Sequence, residues 1–99
     1  MLKHLRYGFI GCGMMGHEHL RNLAMIDGVE VTAIYEPDTR MRSESAHFAP
    51  DARFTESEEE VIRAEDVDAL VIASPNYLHA IQLELISSIR PLPILVEKP

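Results

Sequence analysis

The sequence is poor in cysteine, in positive charge and in long apolar runs, and each shortage excludes a class of protein. A single cysteine in 99 residues cannot form an internal disulfide, so nothing indicates an oxidising compartment. Nine basic residues against sixteen acidic ones give a formal charge of −7, which disfavours a nucleic-acid partner. No apolar stretch approaches the roughly 18 residues of a membrane helix. We therefore expect contact with neither nucleic acid nor membrane.

The amino-terminal segment does not have the pattern of a secretion signal. Lys3, His4 and Arg6 precede an apolar patch, as they would in a signal peptide. The patch ends at the glycines, about four residues in, whereas the apolar core of a signal runs for about 7–15 residues. We expect a cytoplasmic protein, and the length allows one small domain over residues 1–99.

Glycine is concentrated in one stretch, where it follows a short apolar run. Residues 7–10 are predicted to form a buried strand, and Gly11, Gly13 and Gly16 then stand in a G-x-G-x-x-G spacing. In a dinucleotide site these glycines permit the tight turn, the approach of a diphosphate and close packing of helix on strand. The following helix would direct its amino-terminal N–H groups at the phosphates. The predicted cofactor-binding residues of this turn are Gly11, Cys12, Gly13, Met14, Met15 and Gly16.

Two side chains of the turn region have other interpretations. Cys12 is either a small residue that fits a crowded turn or a reactive thiol at a helix amino terminus. His17 and His19 are two residues apart, so on a helix they point to different faces. We therefore predict no metal site.

An acidic residue stands where a ribose partner is expected. The β-branched run 29–35 is predicted to be the second strand, and Glu36 ends it, about 20 residues beyond the glycines. A carboxylate there accepts hydrogen bonds from ribose hydroxyls and repels a 2′-phosphate, which favours NAD over NADP. Arg40 is close enough in sequence to soften that preference, so NADP stays an alternative cofactor.

The remaining pattern alternates helices and strands. Asp38 is predicted to cap a helix through Phe48, and Ser57 to Glu60 matches a capping box. Residues 52–55 read as a weak edge strand, 68–73 as a central strand covered on both faces, and 94–96 as a fifth strand. The class is α/β, a Rossmann-type doubly wound parallel sheet of order 3-2-1-4-5. The glycine turn and the stretch Ser74, Pro75 and Asn76 then meet at the switch point of the sheet.

Three blocks together resemble the amino-terminal domain of the glucose–fructose oxidoreductase, inositol dehydrogenase and MocA family. They are the glycine turn with His19 after it, the S-P-N-Y-L-H block at 74–79, and E-K-P at 97–99. Where the family usually has Gly-Lys-His before its fifth strand, this chain has Pro-Leu-Pro at 91–93. That departure leaves the approach to the strand in doubt, but not the strand itself.

The resemblance implies an NAD(P)-dependent oxidoreductase that transfers hydride between a sugar or polyol hydroxyl and nicotinamide. It implies that Lys98 hydrogen-bonds the substrate hydroxyl as the catalytic residue, and that Asn76 and His79 border the nicotinamide. Glu97 either orients that lysine or is a buried residue that supports the turn. Lys98 lies at a strand end before a proline, which favours extended geometry towards the crevice. The alternatives are a solvated lysine at 98 and a helix-end contact with a neighbouring loop for His79.

Family members have a second α/β domain that supplies the substrate walls and an aspartate–histidine pair, the expected general acid/base. Such a domain is absent from this sequence, so the sheet is expected to be incomplete and the 99 residues inactive alone. We expect a homo-oligomer in the full-length protein. A non-catalytic redox-sensing module and an inactive fragment remain open. A methyltransferase that uses S-adenosylmethionine would share the fold type but would leave the E-K-P block unexplained.

Overall fold

The computed structural model describes residues 5–11, 28–74 and 78–96. The strands in these ranges are β1 (Leu5–Ile10), β2 (Val29–Tyr35), β3 (Arg53–Phe54), β4 (Ala69–Ile72) and β5 (Ile94–Val96). The helices are α1 (Thr39–Phe48), α2 (Glu58–Arg63) and α3 (His79–Ile89). The helix expected after the glycine turn lies outside the described residues. None of the described helices combines the length and the apolar character needed to cross a bilayer.

The five strands form one parallel sheet in the order β3-β2-β1-β4-β5. The order predicted from the sequence is therefore confirmed, including the two-residue edge strand and the strand after Pro93. Strand β1 starts at Leu5 rather than at Tyr7, because the Leu5 amide donates to the Gly28 carbonyl at 2.7 Å. Since the order reverses between β1 and β4, a crevice opens at their carboxyl ends.

Two of the three described helices have the amino-terminal caps that the sequence predicts, with one difference. Asp38 Oδ1 accepts from the amides of Arg40 at 2.9 Å and Met41 at 3.1 Å. Ser57 Oγ accepts from the Glu60 amide at 3.2 Å. The Glu60 carboxylate, however, accepts from the Glu56 amide at 3.2 Å instead of closing a reciprocal bond to the Ser57 amide. Both helices thus begin where expected.

Strand β4 is covered on both faces, as its unbroken apolar run predicts. Leu70 and Ile72 belong to one core cluster and Val71 belongs to the other. The first cluster also contains Ile10, Ala33, Val61, Ile62, Val67 and Ile86, and the second contains Phe9, Ile34 and Ala49. Helices α2 and α3 therefore cover one face, and the end of α1 covers the other.

A bulge in β2 sets which face each of its side chains reaches. Tyr7 pairs with Val31 and Gly8 with Ala33, so Thr32 is an extra residue in the ladder. Val31 packs in the second cluster, Ala33 in the first and Ile34 in the second again, so the alternation changes phase at Thr32. The buried Thr32 hydroxyl donates to the Asp66 carbonyl at 2.7 Å, which ties the bulge to the loop before β4.

Two bidentate ion pairs attach the loop before β4, which contains Asp66 and Asp68, to the amino-terminal edge of the sheet. Arg6 donates to both carboxylate oxygens of Asp68, at 3.0 and 3.1 Å. Arg53 donates to both oxygens of Asp66, at 2.5 and 2.8 Å. The hydrogen bonds that Arg53 donates lower the pKa of the Asp66 carboxyl, and those that Arg6 donates to Asp68 raise the pKa of Arg6.

The Asp66 pair predicts a loss of stability in acid. Because the folded-state pKa of Asp66 lies below the ordinary value of 3.8, its contribution is complete above that value and disappears as the pH falls through the folded-state pKa. We expect Asp66→Asn to reduce the difference in unfolding free energy between about pH 7 and about pH 3, measured by urea titration with circular dichroism. Arg53→Gln should reduce it similarly, and Asp51→Asn, at an exposed turn, should retain it. An Asp66→Asn protein with the wild-type difference would contradict this assignment.

Candidate functional site

A crevice of about 310 Å³ lies at the carboxyl ends of β1, β2 and β4, where the order of the strands reverses. Its described lining residues come from four loops or helix starts: Gly11, Tyr35, Glu36, Pro37, Asp38, Met41, Glu58, Ala73, Ser74, Leu78 and Gln82. Three of the predicted site residues, Gly11, Glu36 and Ser74, are therefore brought together at this place. That position is where open α/β sheets bind their ligands.

Gly11 makes the bend that leaves β1. Its φ of +79° is in the left-handed region, and its amide donates to the Tyr35 carbonyl at 2.8 Å. A Cβ built on Gly11 would lie 2.6 Å from Ser74 Cα and 2.7 Å from Ser74 N. Only a residue without a side chain fits between the two loops, so the crevice floor is bare main chain at this point.

Glu36 is held as a buried carboxylate at the end of β2. It is 7% exposed, and its Oε2 accepts from the Asp38 amide at 2.9 Å. Its carbonyl accepts from Arg42 Nε at 3.2 Å. The next turn of chain therefore fixes both the backbone and the side chain of Glu36, and its carboxylate lines the crevice.

Arg40 lies in the first turn of α1 and is paired within that helix. Its side chain is 86% exposed and lies 3.6 Å from the Glu44 carboxylate, one turn along α1. It is not among the lining residues, and no basic side chain is among the described ones that line the crevice.

Three hydrogen-bonded side chains, Ser74, Gln82 and Glu58, connect the start of α2 with α3 and form one wall of the crevice. Ser74 Oγ donates to Gln82 Oε1 at 2.5 Å, and Gln82 Nε2 donates to Glu58 Oε2 at 2.8 Å. Gln82 is only 4% exposed. His79 Nε2 lies 2.9 Å from the Ser74 carbonyl oxygen, and His79 is not among the described lining residues.

Sequence reasoning missed Glu58 and Gln82 as crevice residues. Glu58 stands in the first turn of a helix, where the dipole favours any acid, so its position in the sequence does not indicate a ligand. The apolar residues of this helix predict one face through Leu78, Ile81, Leu85 and Ile89. The structure instead leaves Ile81 64% exposed and buries Gln82, which is 4% exposed. A polar residue on a buried helix face needs a partner, and here it has two.

Many of the predicted site residues lie outside the described residues and stay predictions. These are Cys12, Gly13, Met14, Met15, Gly16, Pro75, Asn76, Glu97 and Lys98. His17 and His19 lie outside them as well. Within residues 5–11, 28–74 and 78–96, no group of three or more histidine, cysteine, aspartate or glutamate side chains is placed to hold a metal.

The described residues fit a dinucleotide. Gly11 permits the tight turn from β1 into the predicted diphosphate-binding stretch, and Glu36 offers a buried acceptor for hydroxyls. The model of an oxidoreductase family with an NAD-binding Rossmann fold, named for glucose–fructose oxidoreductase, inositol dehydrogenase and MocA, matches residues 5–99. The chain belongs to this family.

Relatives in the family cover nearly the whole chain. Inositol 2-dehydrogenase 2 of Paenarthrobacter aurescens is 40% identical over 96% of the chain, and inositol 2-dehydrogenase of Corynebacterium glutamicum is 38% identical over all of it. A myo-inositol dehydrogenase from Lactobacillus casei, solved with NAD(H) and myo-inositol, superposes with a TM-score of 0.85 at 26% identity over 96% of the chain. That match spans 28% of the solved chain, and the two curated relatives are matched over 28% and 29% of their length.

The family assignment and the sheet order together give this chain its role. It is an NAD-binding Rossmann domain of the glucose–fructose oxidoreductase, inositol dehydrogenase and MocA family. The resemblance drawn from three short blocks is thereby confirmed.

Proposed function

We propose that this domain binds NAD for an oxidoreductase that transfers hydride between a sugar or polyol hydroxyl and the nicotinamide. The observation that carries the proposal is the single crevice in which Gly11 provides bare main chain and Glu36 provides a buried carboxylate. The inositol dehydrogenases among the relatives support a polyol as the substrate class. The Lactobacillus casei enzyme, solved with myo-inositol, supports it as well.

The proposal assigns tasks to the main predicted site residues. When bound, the nicotinamide supplies the hydride acceptor. Glu36 accepts hydrogen bonds from the adenosine ribose, and the turn from Gly11 to Gly16 holds the diphosphate through its amides. Lys98, oriented by Glu97, donates to the substrate hydroxyl and stabilises negative charge that develops on that oxygen. Asn76 and His79 border the nicotinamide.

The carboxylate in the crevice supports NAD over NADP as the cofactor. Glu36 repels a 2′-phosphate, and Arg40 is paired with Glu44 outside the crevice. The acidic balance, with a net charge of −7, supports a protein without a nucleic-acid partner. A cytoplasmic location, a homo-oligomeric full-length protein and the lack of a membrane partner belong to the same proposal.

Titration with NADH tests the binding part. We expect quenching or enhancement of NADH fluorescence to saturate, and S-adenosylmethionine not to compete. Failure to saturate, in a protein whose circular dichroism shows it to be folded, would overturn the proposal. Turnover is a separate test: residues 1–99 with myo-inositol and NAD⁺ should produce no absorbance of NADH, because the general acid/base is not among them. The Corynebacterium glutamicum enzyme is the positive control.

A further inference from the structure

Three carboxylates are among the described residues that line the crevice: Glu36 is assigned to the ribose and Asp38 caps α1, which leaves Glu58 without a role. Glu58 is the first residue of α2, is half-buried and lines the crevice. Its neighbour Glu59 is exposed and is paired with Arg63 at 2.8 Å, outside the crevice. Two adjacent glutamates of one helical turn thus have different surroundings.

Gln82 orients Glu58, and the chemistry of the contact fixes the direction of each hydrogen bond. A carboxylate only accepts, so the amide nitrogen of Gln82 must face Glu58 and its carbonyl oxygen must face Ser74. The Ser74 hydroxyl proton is therefore directed into the wall. The Glu58 carboxylate, which lines the crevice, has acceptor capacity beyond its bond from Gln82, and this suits a ligand group that donates hydrogen bonds.

The size and the apolar lining of the crevice suit a nucleoside. Its volume of about 310 Å³ is at the low end of the roughly 300–1,000 Å³ of small-molecule sites, which suits one end of a dinucleotide. Pro37 and Met41 line it from the start of α1, and Leu78 lines it from the start of α3. Apolar side chains from separate elements favour a flat ring beside a ribose held by Glu36.

We propose that Glu58 accepts a hydrogen bond from the exocyclic amine of the adenine ring, and that Gln82 positions it to do so. This inference rests on the proposed function, because it requires the adenosine end of NAD to occupy the crevice. It adds a base-recognising residue from α2 to a site otherwise built from the ends of β1, β2 and β4. A base with a carbonyl oxygen in place of that amine would face the carboxylate with a like partial charge.

The test compares NADH with reduced nicotinamide hypoxanthine dinucleotide, in which that amine is a carbonyl oxygen. We expect the 99-residue chain to bind NADH about tenfold more tightly, since the lost bond is charge-assisted. In Glu58→Gln the side chain can still accept from Gln82, so the wall stays intact, and its amide can donate to the carbonyl. The ratio of the two dissociation constants should then fall close to one. Glu59→Gln removes the same charge one residue away and should keep the wild-type ratio.

The outcomes separate this inference from the proposed function. Equal binding of both dinucleotides by the wild type would overturn the role of Glu58 and leave the NAD site standing. The role of Glu58 would also be overturned if Glu58→Gln kept the wild-type ratio of the two dissociation constants, or if Glu59→Gln lowered that ratio as much as Glu58→Gln does. If the wild type fails to bind NADH at all, the proposed function is wrong, and this inference fails with it.

Discussion

Gly11→Ala is expected to lower the free energy of unfolding by about 2–5 kcal/mol and to remove NADH binding. The new methyl group would have to tolerate a φ of +79°, and it would lie 2.6 Å from Ser74 Cα. That neighbour is main chain rather than the end of a flexible side chain, so the two loops must separate. Urea titration followed by circular dichroism measures the first effect, and NADH fluorescence at low temperature measures the second.

Gly28→Ala is the matched control for the backbone cost. Gly28 has a similar φ of +82° but lies at the amino-terminal end of β2, at the opposite edge of the sheet from the crevice. We expect it to cost about 1–2 kcal/mol of stability while leaving the NADH dissociation constant unchanged in the folded protein. If Gly11→Ala unfolds like the wild type, the close contact with Ser74 is wrong.

Glu36→Ala is expected to weaken NADH binding by about 10- to 100-fold, because charge-assisted hydrogen bonds to the ribose are lost. NADPH binding should fall less or improve, since the carboxylate that repels a 2′-phosphate has gone. Stability should also decrease, because the Asp38 amide loses the acceptor that lies at 2.9 Å. Fluorescence titrations with both cofactors give the two dissociation constants directly.

Two further variants sharpen the Glu36 experiment. Glu36→Gln keeps an acceptor for the Asp38 amide and removes only the charge, so its free energy of unfolding should be near that of the wild type. The ratio of its NADPH and NADH dissociation constants should be smaller than in the wild type. Glu44→Ala removes a carboxylate on α1 that is paired with Arg40 outside the crevice. It should change neither dissociation constant. An unchanged ratio of NADH to NADPH affinity in Glu36→Ala would show that the ribose is not held there.

The sequence pattern was sufficient to predict those features that depend on residues close together in the chain. The cap at Asp38 depends on amides two and three residues away, and the two-faced burial of β4 follows from a run of apolar residues. The same holds for the sheet order, because alternating strands and helices with right-handed crossovers leave few arrangements. The glycine spacing and Glu36 then indicate the crevice, since parallel strands end at one edge.

Only the tertiary structure decided the contacts between residues that are distant in the sequence. The phase change at Thr32 depends on the Asp66 carbonyl, 34 residues further along the chain, and it sets the faces that Ala33 and Ile34 reach. The role of Glu58 depends on Gln82, 24 residues away. Hydrophobic periodicity predicts whether a side chain is buried but not which residue it contacts. The hydrogen-bonded wall of Ser74, Gln82 and Glu58 therefore could not be predicted. The sequence alone therefore determined the class of site, and packing determined which side chains complete it.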